Sequence, residues 1–289
     1  MRPFDFDPDV WSISFPEPKN TLQVFITNRC DRRCRGCFYD ARLGSGDIPL
    51  SQYKEIVDEQ DGRIRKVMML GGEPTLHGDL GEMVAYNESK GLTTTVYTNG
   101  VDVARLNDIY DSHPSLTIRI GVLGLEDSEK PLRGVVAPRN GFVVYMLRKD
   151  NIGGVLPAAS FAKNELGVED FMISTIRDIA TTGDFWLDTD ETIPMDEYAI
   201  IAQSFARVVG GDPLFPRRMH ISRRGMFYGP FEQDTCRFLN VFPDGTRIIC
   251  PLDISLDVRH EGEFEFGTRP CNKCAEGCIL QKLVLERKD

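Results

Sequence analysis

Three cysteines lie close together near the start of this chain, at Cys30, Cys34 and Cys37, with the spacing C-x3-C-x2-C. An apolar run over residues 22–26 leads into them and predicts a buried strand. Three soft sulfur ligands on the loop after a strand suit an iron–sulfur cluster or zinc. A zinc knuckle usually takes four ligands in paired C-x2-C units, and here His77 is the nearest candidate for the fourth. The pattern therefore favours a cluster, with zinc as the alternative.

Apolar segments of strand length alternate with amphipathic segments of helix length. Predicted strands cover residues 21–28, 65–70, 92–97, 116–123, 142–147 and 170–176, and predicted helices cover residues 49–60, 80–90, 101–110, 158–166 and 195–208. This alternation predicts an α/β fold with parallel strands and outer helices. The site of such a fold usually lies at the carboxyl ends of the strands. The cysteine loop and residues 71–74 and 98–100 all follow predicted strands, so we expect them to meet.

A second motif turns the cysteine spacing into a family signature. The cysteine loop, followed by Gly71-Gly72-Glu73-Pro74, resembles the radical S-adenosylmethionine (radical SAM) enzymes. The resemblance implies a partial (β/α)6 TIM-like barrel and a [4Fe–4S] cluster held by the three cysteines. It also implies that S-adenosylmethionine (SAM) binds the open iron. One electron then cleaves SAM to methionine and a 5′-deoxyadenosyl radical, which removes a hydrogen atom from a substrate.

The same resemblance implies a set of cofactor-binding residues. They are Gly71, Gly72, Glu73, Pro74, Thr98, Asn99, Arg133 and Phe38. The first four would contact the SAM amino group, and Thr98 and Asn99 would lie beside the cofactor, although Asn-Gly is also a strong turn signal. Arg133 would pair with the SAM carboxylate or ribose, or is a surface arginine. Gly36 stands where many members have an adenine-contacting aromatic residue, so Phe38 or Tyr39 either substitutes or fills the core.

The remaining cysteines lie near the end of the sequence. Cys236 and Cys250 flank a Pro-Asp-Gly turn between apolar runs, which predicts a β-hairpin, and Cys271, Cys274 and Cys278 precede a helix predicted over residues 279–286. Two separated cysteine pairs suit zinc or an iron–sulfur cluster. The spacing resembles the Twitch extension, the shorter relative of SPASM. By that resemblance Cys236, Cys250, Cys271 and Cys274 hold a second [4Fe–4S] cluster, and Cys278 is a buried thiol or an alternative ligand.

These features predict three parts of the chain. Residues 1–20 form an N-terminal arm, residues 21–215 form the radical SAM partial barrel, and residues 216–289 form a small extension of hairpin and helix around the auxiliary cluster. A partial barrel leaves two edge strands that need a cover. We expect the C-terminal segment to provide it.

Charge and composition restrict the partners. A net charge of −10 makes nucleic acid an unlikely partner, because neutralising phosphates needs clustered basic residues. The basic pairs at residues 217–218 and 223–224 are a local exception, read as surface or as contacts for an anionic substrate. No apolar run is long enough for a membrane span, and the first residues lack a signal peptide core. The sequence therefore predicts a cytoplasmic protein whose eight cysteines bind metal rather than form disulfides.

The sequence leaves three functions open. The first is an oxidoreductase that removes hydrogen from a small polar metabolite, with the second cluster accepting an electron and a flavodoxin or ferredoxin as donor. The second is radical modification of a peptide or protein side chain. Residues 1–20 are too few for a fused peptide-binding domain, which favours the metabolite. The third is a non-catalytic iron–sulfur electron carrier, which has no need for the Gly-Gly-Glu-Pro motif. Release of 5′-deoxyadenosine distinguishes the enzyme from the carrier.

Overall fold

The computed structural model describes residues 21–175 except Gly36 and Phe38, isolated residues between 193 and 208, and residues 212–221 and 238–248. Several predictions lie outside these residues. They are the arm over residues 1–20, most of the helix over residues 195–208, the helix over residues 279–286, Phe38, Arg223, Arg224, Cys236, Cys250, Cys271, Cys274 and Cys278.

The predicted strands and the first four predicted helices are confirmed, with ends that differ by a few residues. The strands are β1 (Thr21–Thr27), β2 (Lys66–Gly71), β3 (Thr93–Thr98), β4 (Leu116–Val122), β5 (Gly141–Leu147) and β6 (Asp170–Thr175). The helices are α1 (Leu50–Asp58), α2 (Leu80–Ser89), α3 (Val103–Ser112) and α4 (Val155–Asn164). Three later strands are β7 (Arg218–Ile221), β8 (Phe238–Val241) and β9 (Arg247–Ile248). Gly91 follows α2 with a positive φ of 70°, the left-handed conformation in which glycine commonly ends a helix.

The described strands form one sheet in the order β7-β6-β5-β4-β3-β2-β1-β8-β9. Neighbours from β7 to β8 run parallel, and β9 runs antiparallel to β8. The β8–β9 pair confirms the predicted hairpin, with Gly245 at a φ of 82° in its turn. Both edges of the six-stranded sheet are thus paired, β6 by β7 and β1 by β8. The sheet continues past residue 216, and the division into domains there stays a prediction.

The two faces of the sheet differ in burial, and β4 shows the difference most clearly. Leu116, Ile118, Ile120 and Val122 are buried in the main core, which also contains apolar residues of the four helices. The residues between them, including Arg119, are only half-buried. Burying one face under helices and leaving the other partly open is the arrangement of a partial barrel with an accessible lumen.

A small aromatic cluster fastens the hairpin to the cysteine loop. The ring of Phe25 on β1 stacks on Tyr39 at 4.9 Å and on Phe242 at 4.7 Å, and Cys37 packs against this cluster. Arg42 lies 4.2 Å from the centre of the Phe242 ring. The predicted cover for the open edge therefore also contacts the segment around the third cysteine.

One connection in the barrel has no helix. Residues 123–140, called the β4–β5 loop below, join two parallel neighbours without a helical segment. A bridge between Gly124 and Pro131 folds this loop back on itself. Residues at its tip thereby reach the carboxyl end of the sheet. No helix in the described part of the chain is long and apolar enough to cross a membrane.

Candidate active site

The cysteine loop and the Gly-Gly-Glu-Pro segment are joined by main-chain hydrogen bonds. The N–H of Gly72 donates to the carbonyl of Thr27 at 2.8 Å, and the N–H of Glu73 donates to the carbonyl of Arg29 at 2.8 Å. These bonds continue the β1–β2 ladder beyond the ends of both strands. The predicted meeting of the two motifs at the carboxyl ends of the strands is confirmed.

Only glycine fits where the two segments touch. Gly71 has a φ of 145°, and a Cβ placed on it would lie 2.3 Å from the carbonyl oxygen of Thr27. A Cβ on Gly72 would lie 2.1 Å from the carbonyl oxygen of Arg29 and 2.9 Å from Cβ of Cys30. The two glycines are therefore needed for the main chain to approach the first cysteine this closely.

The Glu73 side chain is fully buried and ties β2 to β3. Its Oε1 accepts hydrogen bonds from the N–H and hydroxyl of Thr75, at 3.1 and 2.8 Å, and from the hydroxyl of Thr98 at 2.8 Å. Its Oε2 accepts from the N–H of Asn99 at 2.7 Å. Burial raises the pKa of Glu73, and these hydrogen bonds act in the opposite direction. The carboxylate of Glu73 and the hydroxyl of Thr98 are therefore engaged with each other inside the protein.

Replacing Glu73 with glutamine is expected to lower the free energy of unfolding by about 1–3 kcal/mol. The amide has one acceptor oxygen, so its NH2 group would face a donor, either the N–H of Asn99 or the three donors at Oε1. Urea denaturation of both proteins measures the difference. Glu82→Gln is the matched control on the exposed side of α2, and we expect it to change stability by less than about 0.5 kcal/mol. Equal effects of the two substitutions would contradict the assigned role of Glu73.

Asn99 ties the end of β3 to the cysteine loop. Its Nδ2 donates to Oδ1 of Asp31 at 2.7 Å, next to the first cysteine, while its Oδ1 accepts from the N–H of Val101 at 3.0 Å. The second bond is the local turn contact that the Asn-Gly pair predicts. Asn99 thus has the turn role, and it also lies at the cysteine loop as expected from the resemblance.

The three cysteines are free thiols on one loop. Cys34 is buried, and Cys30 and Cys37 are partly buried. Burial raises the pKa of each thiol, that of Cys34 to about 11. The positive charge of Lys130, in the β4–β5 loop, opposes this rise at Cys34 and Cys37. A cation beside thiols favours the thiolate form that binds metal.

The donor set fits an iron–sulfur cluster. Three thiols, with one nearby ammonium group, offer the soft anionic ligands that such a cluster takes. No three His, Cys, Asp or Glu side chains of the described residues are gathered closely enough to hold a single metal ion. A cluster of four irons distributes its protein ligands over separate irons, so it does not need thiols that converge on one point.

The β4–β5 loop clamps the cysteine loop from above, a role that sequence reasoning missed. The carboxylate of Glu129 accepts from the N–H of Arg35 at 3.0 Å, and its carbonyl accepts from the guanidinium of Arg32 at 2.6 Å. Sγ of Cys34 lies 3.6 Å from the same carbonyl oxygen. The sequence pointed to Glu129 only indirectly, because it lies in the same loop as Arg133, which the family resemblance singles out.

A buried arginine at the end of β5 holds the β4–β5 loop in place. Arg148 is 6% exposed. Its guanidinium lies 3.4 Å from Asp127, 3.7 Å from Glu129 and 2.9 Å from Asp150. The position of the clamp on the cysteine loop thus depends on one cation that is shared by three carboxylates.

The other predicted contacts are placed as follows. Pro74 is buried at the start of a short 3-10 turn. Arg133 is exposed, pairs with Glu126 and lies 5.5 Å from the ring of Phe161, and its contact with a cofactor stays a prediction. Tyr39 is buried in the aromatic cluster and donates to Oδ1 of Asn28 at 2.6 Å, so it fills the core.

The basic pair after the sixth strand lies at the surface. Arg217 pairs with Glu169, and Arg218 pairs with Asp170. All four side chains are engaged at the edge of the sheet. These contacts agree with the surface interpretation of the pair.

Comparisons with known proteins show what the chain is similar to. Residues 24–142 match the family model described as Radical SAM superfamily. The chain is similar to an S-adenosylmethionine-dependent nucleotide dehydratase of Selenomonas ruminantium, with 32% identity over 83 residues, 27% of this chain and 29% of that protein. It is also similar to the Fe-coproporphyrin III synthase of Methanosarcina barkeri strain Fusaro, with 29% identity over 97 residues, 32% of this chain and 24% of that protein. The matches span less than a third of these relatives.

Solved structures confirm the fold. SuiB of Streptococcus suis bound to S-adenosylmethionine has a TM-score of 0.68 and 13% identity, over 92% of this chain and 67% of that chain. Native anSMEcpe with bound AdoMet and Cp18Cys peptide has a TM-score of 0.61 and 14% identity, over 91% of this chain and 81% of that chain. At these identities the likeness concerns the fold alone, and it agrees with the predicted partial TIM-like barrel.

Proposed function

We propose that this chain cleaves SAM reductively and uses the resulting radical to remove a hydrogen atom from a small polar metabolite. One observation carries the proposal. Main-chain bonds from Gly72 and Glu73, and the contact between Asn99 and Asp31, hold the motif residues around one loop that presents three free thiols. An electron carrier has no use for this assembly beside its ligands.

The residues have distinct roles in this proposal. Cys30, Cys34 and Cys37 would hold a [4Fe–4S] cluster, which would supply the electron that cleaves SAM. Lys130 favours the thiolate ligands, and the β4–β5 loop covers them from solvent. The main chain of residues 71–74 faces the SAM amino group, with Asn99, Arg133 and Phe38 as further contacts.

The extension supplies an electron acceptor in this proposal. Cys236, Cys250, Cys271 and Cys274, with Cys278 as an alternative ligand, hold a second [4Fe–4S] cluster, which makes the chain an oxidoreductase of the Twitch type. The docking of the hairpin on β1 and on the aromatic cluster beside Cys37 supports a position near the barrel. A flavodoxin or ferredoxin of the cytoplasm is the proposed donor.

The substrate is proposed to be a small molecule rather than a peptide. The names of the matched relatives from S. ruminantium and M. barkeri denote chemistry on a nucleotide and on a coproporphyrin. The structures whose titles include a peptide share only the fold with this chain. A peptide substrate is the alternative outcome of the screen below.

The test measures iron, sulfide and 5′-deoxyadenosine after anaerobic reconstitution and reduction. We expect about eight irons in the wild type and about four in the Cys30→Ala/Cys34→Ala/Cys37→Ala variant, at four per cluster. The wild type should release 5′-deoxyadenosine from SAM, and the triple variant should release none. A Cys236→Ala/Cys250→Ala variant is the matched control, which should keep about four irons and still cleave SAM.

Each other outcome removes a stated part of the proposal. A wild type that holds iron but releases no 5′-deoxyadenosine would identify a carrier. About four irons in the wild type and almost none in the triple variant would mean that the late cysteines bind zinc or nothing. Release that increases with peptides and not with small oxidisable metabolites would assign the peptide alternative.

A further inference from the structure

A row of side chains crosses the half-exposed inner face of the barrel. Gln23 on β1 donates to Sδ of Met68 on β2 at 3.6 Å, and the hydroxyl of Tyr97 on β3 donates to the same sulfur at 3.3 Å. The guanidinium of Arg119 on β4 then donates to the Tyr97 hydroxyl at 2.6 Å and to Sδ of Met172 on β6 at 3.6 Å. The row is apolar or uncharged except for Arg119.

In the part of the chain that the structure describes, no carboxylate pairs with the half-buried Arg119, and its guanidinium donates only to two neutral side chains. Arg105 also lacks a carboxylate partner, but its guanidinium donates to three main-chain carbonyls. Cζ of the Arg119 guanidinium lies 4.3 Å from the ring centre of Tyr97 and 5.5 Å from that of Phe142. Its hydrogen-bond partners are the Tyr97 hydroxyl and the Met172 sulfur, and both are neutral. Arg29 and Arg148, by contrast, each pair with an aspartate. Withdrawing a cation from water without a counter-ion costs free energy, which a bound anion would offset.

The position of Arg119 places such an anion below the cysteine loop. Gly121 lies two residues further toward the carboxyl end of β4 on the same face, about 7 Å along the strand. A Cβ placed on Gly121 would lie 3.8 Å from Nζ of Lys130, the ammonium group beside Cys34. The absence of a side chain at Gly121 leaves space between the arginine and the thiols.

We propose that Arg119 anchors a negatively charged group of the substrate, a carboxylate or a phosphate, while Tyr97, Phe142 and Met172 contact its apolar part. This inference rests on the proposed function and specifies its substrate class. A guanidinium has five N–H donors, and the described contacts use two of them. The remaining donors are enough to bind two oxygen atoms of one anionic group. The substrate would then extend from Arg119 past Gly121 toward the cofactor.

The experiment measures equilibrium binding of two probes, inorganic pyrophosphate and benzoate, by calorimetry. The protein is the full chain, reconstituted anaerobically and saturated with SAM, so that the probes do not occupy the cofactor site. We expect the wild type to bind at least one probe and Arg119→Met to bind it about ten- to a hundredfold more weakly. Arg139→Met, which removes an exposed arginine paired with Asp111, should bind like the wild type. The preferred probe distinguishes a phosphate from a carboxylate.

Two results would overturn the inference: equal affinity of Arg119→Met and the wild type, or no binding of either probe to the wild type at millimolar concentration. Iron content and the unfolding midpoint report whether the variant is folded, and Arg119→Gln replaces it if it is not. Substrate-free release of 5′-deoxyadenosine is measured in the same samples. Failure of that release in the wild type would remove the proposed function. Loss of probe binding with release intact supports the anchor.

Discussion

Replacing Gly72 with alanine is expected to abolish binding of the first cluster and to lower the free energy of unfolding by about 3 kcal/mol or more. The added Cβ would lie 2.1 Å from the carbonyl oxygen and 2.6 Å from the carbonyl carbon of Arg29, and 2.9 Å from Cβ of Cys30. Two of these three atoms are main chain and cannot rotate away. Relief therefore requires the cysteine loop to separate from β2, which breaks the bonds that Gly72 and Glu73 donate to it.

The measurement is iron per chain after reconstitution, together with urea denaturation. We expect Gly72→Ala to lose about four irons, the content of one cluster. Gly78→Ala is the matched control six residues along, because a Cβ there meets no atom within 4 Å and Gly78 is exposed. A Gly72→Ala protein with full iron content and unchanged stability would show that the two segments need not touch.

Replacing Arg148 with methionine is expected to lower the free energy of unfolding by about 3–5 kcal/mol. Methionine fills similar space but leaves the partly buried Asp127 and Glu129 without the cation they share. Repulsion between the carboxylates would then push the β4–β5 loop outward. Because Glu129 receives hydrogen bonds from Arg32 and Arg35, we also expect slower or incomplete assembly of the first cluster.

Chemical denaturation and the time course of iron incorporation measure the two effects. Arg139→Met is the control, since its pair with Asp111 is exposed on both sides and an exposed pair contributes less than about 1 kcal/mol. Arg148→Lys keeps the positive charge but loses the planar set of N–H donors, so its free energy of unfolding should lie between those of the wild type and Arg148→Met. If Arg148→Met unfolds at the same urea concentration as Arg139→Met, the arginine does not hold the loop.

Sequence alone determined the strands, the first four helices and the place where they bring the motifs together. The reason is local and periodic: apolar residues two apart mark a buried strand, and those three or four apart mark one side of a helix. In a parallel sheet all carboxyl ends lie at one edge, so Gly72 had to approach the loop that begins at Cys30. The need for glycine at position 72 also follows from that approach, although only the structure shows how close the two segments come.

Tertiary structure alone decided which side chains are free to act. Glu73 lies in the cofactor motif but its carboxylate is used within the protein, Tyr39 fills the core, and Glu129 reaches the cysteine loop. In the sequence, Arg119 is one residue of an alternating strand. That no carboxylate of the described residues pairs with it emerges only when β3, β4 and β6 are assembled. Such contacts join residues far apart in the chain. They depend on the twist of the sheet and the path of the loops, and no local pattern encodes either.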